Sequence, residues 1–290
     1  MTSGGTSFTQ DPESTVKSIL KKGLLQKSSE SLSLIFSCVD LTSLNTNDST
    51  GKIISMCNKI NDLQTRFTNY PNVAAICVYP SLIPSVYSNL KADGVGIASV
   101  AGGFPSSQTF LELKLAESKQ AVNLGATEID IVMSVGKFLA GDHDGVAEEI
   151  YEIKKAIGET RLKVILETGL LPSPGDIYRA SELCIRAGAD FIKTSTGTLE
   201  PAASLEAVLI MCEAIRDHYM GSGRKIGIKP AGGITTTLQA LQYSTVVMNI
   251  LGEEWLNPHL FRFGASRLAN RVLEDLHFLI TGNKLKVQYF

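Results

Sequence analysis

The chain is poor in the residues that would make it a disulfide, metal, membrane or nucleic-acid protein. Its five cysteines (Cys38, Cys57, Cys77, Cys184, Cys212) are odd in number, far apart and form no C-x-x-C pair. That pattern fits reduced thiols in a cytoplasmic protein better than a disulfide framework. The four histidines (His143, His218, His259, His277) show no ligand spacing such as H-x-x-x-H, so no metal site is expected. Neither sign of charge dominates: 27 Lys and Arg stand against 29 Asp and Glu, a net charge of -2. There is thus no basic field for nucleic acid and no polybasic membrane signal. No long apolar run follows a basic N-terminus, so neither a secretory signal nor a membrane span is expected.

What is present is enough for one large core. The chain has 290 residues, 44% hydrophobic and 19% charged, and α/β barrels of this length are commonly single domains. Residues 1 to about 13, rich in Ser, Thr and Gly, read as a mobile end, and Ser14 to Leu25 as a short helix capped by Ser14. Strands are expected at 32–39 (running into Asp40-Leu41-Thr42), 73–79, 95–100, 127–133, 162–167, 189–193, 225–229 and 260–263. Helices are expected at 48–67, after Thr109 with Phe110, Leu113 and Ala116 on one side, and at 143–157, 174–187, 202–219 and on to about 280. Thr109 and Glu112 stand at capping-box spacing. The expected division is an N-terminal extension over 1–30, a barrel over 31–280 and a loose tail over 281–290.

Eight strands with helices between most of them argue parallel βα units, and in one core-sized chain a closed (β/α)8 TIM barrel. The open doubly wound sheet is the alternative, but no G-x-G-x-x-G follows the first strand.

Two stretches share one design. In Ala189 to Gly197 and in Lys225 to Gly233, apolar residues lead into a lysine, Lys193 or Lys229, and small residues follow. An amine held near another cation favours its neutral, nucleophilic form. Barrel active sites lie at the C-terminal ends of strands, where Asp40, Cys77, Asp130 and Glu167 also fall. Asp130, between Ile129 and Ile131, is expected to point inward and to pair with the lysines. Cys77 reads more simply as a small core residue than as a nucleophile.

Together these segments resemble the 2-deoxyribose-5-phosphate aldolase family of the Schiff-base (class I) type. The match rests on Asp40-Leu41-Thr42, 74–80, 128–132, 163–169, 191–197, 227–233 and 262–266, in the family's order and over roughly residues 30–278. The resemblance implies a TIM barrel that cleaves deoxyribose 5-phosphate to glyceraldehyde 3-phosphate and acetaldehyde without metal or other cofactor. It implies Lys193 as the Schiff-base lysine, Lys229 as the charge that keeps it neutral, and Asp130 as the acid/base residue. Asp40, Cys77, Thr196, Gly197, Gly232, Gly233, Gly264 and Ser266 follow as substrate-binding positions, and a homo-oligomer, dimer or tetramer, as the assembly.

The chain departs from the family at the phosphate end. Thr198 stands where a lysine is usual and Thr235 where an arginine is frequent. Backbone N–H groups around the glycines remain as an anion cradle, with Arg267 as a candidate replacement cation. The family often has a C-terminal tyrosine on a mobile tail that reaches the site; here Tyr289 is penultimate in a polar tail, and that role and simple disorder both stay open. Two readings therefore stay open at this level: an active aldolase, or an aldolase-fold protein of weak activity that binds another protein, supported by Thr198 and Thr235.

Overall fold

The computed structural model describes residues 8–285 and 288–290. Helices α1 (Pro12–Lys22) and α2 (Ser29–Ser37) precede strand β1 (Val39–Thr42). Then come α3 (Thr50–Asn61), α4 (Leu63–Arg66), β2 (Ala75–Val78), α5 (Ile83–Asn89), β3 (Gly96–Ala101), α6 (Leu111–Asn123) and β4 (Glu128–Val132). The middle holds α7 (Val135–Leu139), α8 (His143–Ile157), β5 (Arg161–Ile165), α9 (Pro174–Arg186), β6 (Phe191–Lys193) and α10 (Leu205–Ser222). Strand β7 (Gly227–Lys229), α11 (Thr237–Leu251), β8 (Phe263–Ala265) and α12 (Arg267–Thr281) complete the chain.

All strand pairs are parallel and run β7-β6-β5-β4-β3-β2-β1-β8. Parallel bridges Ile228–Phe261 and Ala231–Gly264 join the two ends and close the barrel. The expected (β/α)8 fold is therefore the observed one. Side-chain alternation divides the core in two. Leu41, Ile76, Ile129, Val164, Ile192 and Ile228 face outward into the helical shell. Ala75, Cys77, Ala98 and Val100 form a separate inner cluster of small residues on β2 and β3, which leaves room opposite for long charged side chains.

Several sequence expectations are corrected. The apolar run 32–37 is helical, not strand: Ser28 and Ser31 form a reciprocal capping box, and Leu32, Ile35 and Phe36 are buried at helical spacing. Short apolar runs carry no unique period, and here the cap decides. The helix expected over 48–67 is two, α3 and α4, which meet at Asp62. The α6 box does not form; Phe110 is the cap residue and bonds through no side chain. Its expected apolar face is exposed (Phe110 76%, Leu113 56%), and Lys114, Ser118 and Ala121 face inward. The Lys114 ammonium explains this rotation, because it donates to Ser107 Oγ at 2.9 Å and to Ser134 Oγ and Glu149 Oε2 at 2.8 Å each. A buried cation is tolerated when so paired. Helices α5 and α11 were not expected; α11 starts on a Thr236–Gln239 capping box.

The described residues near the two ends are also more ordered than composition suggests. Residues 1–7 of the expected mobile end lie outside the described residues. Phe8 stacks on Tyr178 at 5.0 Å and Thr9 donates to Glu213 at 2.6 and 2.9 Å. Asp11, not Ser14, caps α1. At the other end Tyr289 is buried. Its hydroxyl donates to the Lys59 carbonyl at 2.6 Å, and the Tyr289 and Phe290 N–H groups donate to Asn270 Oδ1. Tyr289 thus sits in the outer shell against α3 and α12, and not at the strand ends. The rest of the expected loose tail includes 286 and 287, which lie outside the described residues.

Candidate active site

Strand register assembles the candidate residues. Lys193 and Lys229 end β6 and β7 directly opposite one another, and Asp130 lies opposite Lys163 across β4 and β5. All four point into the barrel and are buried. Asp130 is the hub: its Oδ2 accepts from Lys229 Nζ at 2.8 Å and from Lys193 Nζ at 3.1 Å. Lys163 Nζ donates to the other oxygen, Oδ1, at 2.7 Å. Asp40 pairs with Lys229 on one oxygen and with Arg262 on the other. Gly264 permits this crowding, since a Cβ there would lie 3.1 Å from Lys229 Cε and 2.8 Å from Ala231 Cβ.

The electrostatics separate the two lysines. Burial lowers the pKa of Lys193, and the Lys229 ammonium lowers it further, against the opposing pull of Asp130. Desolvation is thus the larger cause, ahead of the neighbouring cation anticipated from sequence. Burial would lower Lys229 as well, but Asp130 and Asp40 outweigh it and hold that ammonium protonated. Burial pushes Asp130 up, yet Lys163, Lys229 and Lys193 together hold it well below the usual carboxylate range. The Cys77 thiol is raised by burial first and by Asp130 second, which fits a packing residue.

The glycine loops after β6 and β7 meet at the rim. A Cβ on Gly232 would lie 3.2 Å from Gly197 Cα and 2.6 Å from Ala202 Cβ, and Gly232 and Gly233 have φ of 87° and 74°. The Thr196 hydroxyl donates to Glu167 Oε2 at 2.6 Å and lies 2.8 Å from Thr198 Oγ1. The Thr235 N–H is taken by Gln239 Oε1 at 2.9 Å. Ser266 is exposed at the start of α12 and makes no capping bond. Arg267 is exposed beside it and forms no ion pair among the described residues.

Sequence reasoning named Lys193, Lys229, Asp130 and Asp40 but missed Lys163, Glu128 and Arg262. Alternation held the signal for two of them: Lys163 between Leu162 and Val164, Arg262 between Phe261 and Phe263; Glu128 follows Thr127 and lacks it. A charge flanked by apolar neighbours in a barrel strand faces inward. Among the described residues no group of three or more His, Cys, Asp or Glu is arranged to hold a metal ion, and no helix is long and apolar enough to cross a membrane. All five cysteines are free and buried.

A desolvated amine at the mouth of a closed barrel, beside a fixed cation and a carboxylate, suits imine formation with a carbonyl compound. This is the chemistry of a barrel aldolase. Residues 34–252 match the DeoC/LacD family aldolases, and the chain belongs to that family. A human protein named deoxyribose-phosphate aldolase is 40% identical over 254 residues, 84% of this chain and 80% of its own. The bovine protein of the same name is 40% identical over 255 residues with the same shares. The solved structure of a tetrameric deoxyribose phosphate aldolase from Aeropyrum pernix superposes with a TM-score of 0.68 at 23% identity. It covers 92% of this chain and 97% of its own, and carries the fold alone.

Proposed function

We propose that the protein is a class I aldolase that reversibly cleaves 2-deoxyribose 5-phosphate to glyceraldehyde 3-phosphate and acetaldehyde. The observation that carries this reading is the Lys193 amine, buried and linked through Asp130 Oδ2 to a protonated Lys229. Lys193 Nζ attacks the aldehyde carbon of the open-chain sugar. A C–N bond forms, the carbonyl oxygen leaves as water, and an iminium remains. The C3 hydroxyl then loses its proton, the C2–C3 bond breaks, and its electron pair enters the iminium to give an enamine. The three-carbon phosphorylated aldehyde departs. The enamine carbon takes a proton, and water hydrolyses the imine to acetaldehyde and free Lys193. Asp130, supported by Lys229, handles the protons through a water molecule. The glycine loops, Thr196 and Ser266 receive the phosphate end, and Asp40 and Cys77 line the sugar's path.

The free buried cysteines support a reducing, cytoplasmic setting, and a homo-oligomer is part of the proposal. The alternative, an aldolase-fold protein of weak activity that binds another protein, rests on Thr198 and Thr235 alone, and nothing in the site geometry or the similar proteins favours it. The test is reductive trapping: acetaldehyde plus borohydride should leave one ethyl group, on Lys193. Labelling of Lys229 instead, or of no lysine, rejects the assignment.

A further inference from the structure

Beneath Lys193 the barrel holds more charge than the proposed chemistry uses. Seven buried ionic groups are linked by contact: the cations Lys163, Lys193, Lys229 and Arg262, and the carboxylates Asp40, Glu128 and Asp130. Lys163 is their junction. Its Nζ lies 2.6 Å from Glu128 Oε2, 2.7 Å from Asp130 Oδ1 and 3.6 Å from Asp40 Oδ2. It occupies one oxygen of Asp130, which leaves the other for Lys193 and Lys229. Arg262 closes the circuit from below through Asp40 and Glu128.

The other groups facing this network are few. Arg161 touches Glu128, and with Glu128 and Arg262 of the network, and with Asp93 and His259, it lines a polar cavity on the N-terminal face; its side chain is 30% exposed, so water screens it. Strand β2 offers the Cys77 thiol, and β3 only Ala98 and Val100. Glu167, above, is bonded by Thr196 and makes no ion pair among the described residues.

If every linked group were ionised, four positive charges would face three negative ones. A net charge among buried groups is costly enough that one of them gives up its proton instead, most readily at the enclosed end that Lys193 and Asp130 occupy, away from the cavity beside Glu128 and Arg262. Lys193 is the cation with the fewest partners. It contacts one carboxylate, against two each for Lys229 and Arg262 and three for Lys163.

We infer that Lys163 and Glu128 are positioning residues of the aldolase centre: their opposite charges fix the net charge of the barrel floor, which keeps the Lys193 amine unprotonated and Asp130 turned toward it. The inference rests on Lys193 being the imine-forming residue. The direction of the shifts agrees, since burial and Lys229 lower Lys193, while Lys163, although burial opposes it, is raised by Asp130 and Glu128.

Because the two residues carry opposite charge, neutralising them should move one readout in opposite directions. The readout is the pH dependence of Lys193 ethylation by acetaldehyde and cyanoborohydride, followed by mass spectrometry. Lys163→Met leaves three cations against three carboxylates with Lys193 protonated, so the acid limb should rise by about one to three pH units. Glu128→Gln leaves four against two, and the limb should fall. Lys163→Arg keeps the charge and should leave the limb in place. A purely structural role would slow both neutral variants without moving their limbs apart. Limbs that stay put, or move in the same direction, overturn the inference while the aldolase reading stands. If Lys163→Met does not fold, Glu128→Gln against Lys163→Arg still decides. If the wild-type protein gives no Lys193 adduct, the aldolase reading falls and this inference falls with it.

Discussion

Lys193 and Lys229 are the same residue type in the same strand position and in register with each other, yet their pKa values shift in opposite directions, Lys193 down and Lys229 up, because their partners differ. Asp40 and Asp130 both serve Lys229, and only Asp130 serves Lys193. The sequence shows two lysines at strand ends; it does not show how the carboxylates are shared between them. If Asp130 moves protons, Asp130→Asn should still form the imine but lose about 10²–10⁴ in turnover. An Asp130→Asn enzyme with wild-type kcat would remove it from the mechanism. The rim supports a second prediction. Thr198 ends in a hydroxyl bonded to Thr196, so a phosphate bound there would meet neutral donors. A charge-assisted hydrogen bond is worth about 1.5–3 kcal/mol. Thr198→Lys should therefore lower KM for deoxyribose 5-phosphate by about tenfold to a hundredfold and leave free deoxyribose almost unaffected. If Thr198→Lys leaves both substrates unchanged and Arg267→Ala alone removes the preference for phosphate, Arg267 supplies the missing cation.

Among the elements, those with a single period and a clear cap were legible and those shaped by tertiary demands were not. Helix α8 was expected at 143–157 and is found at His143–Ile157, with Asp142 as its cap and a continuous buried face. Helix α6 was misread because its inward face carries a lysine, an inversion that only Ser107, Ser134 and Glu149 explain. The C-terminal segment reads as polar and loose, but Asn270 fixes its backbone and Phe67 packs edge-on to the Tyr289 ring at 5.3 Å. That contact should be structural. Tyr289→Ala should cost about 3 kcal/mol, in line with the loss of a buried aromatic ring, and lower the thermal midpoint. Trapping at Lys193 should continue unchanged below that midpoint. Loss of trapping in a folded Tyr289→Ala protein would instead tie the tail to the site.

For the molecule as a whole, the charged barrel interior predicts how stability depends on pH. Asp40, Glu128 and Asp130 resist burial, which alone would raise each one, and the surrounding cations hold all three below their ordinary values. Unfolded carboxylates titrate near 3.9 to 4.3. A group lowered in the folded state contributes stability that is complete above that range and lost as pH falls through the folded value. The denaturation midpoint should thus be insensitive to these groups above about pH 5 and fall steadily below about pH 4. A midpoint unchanged down to pH 3 would mean that the network is already discharged or contributes nothing.

By itself the sequence determined the barrel, the order of its strands and the two strand-end lysines. Those features rest on alternation, on spacing and on glycines at helix ends, all of which act over a few neighbouring residues. Tertiary structure alone decided that residues 32–37 are helical, that Lys114 faces inward and that Tyr289 belongs to the outer shell. It also brought Lys163, Glu128 and Arg262 beneath the site, with Arg262 meeting Glu128 across 134 positions of the chain. The physical reason is the same in each case: burying a charge or an apolar ring depends on partners that only closure of the barrel brings within reach.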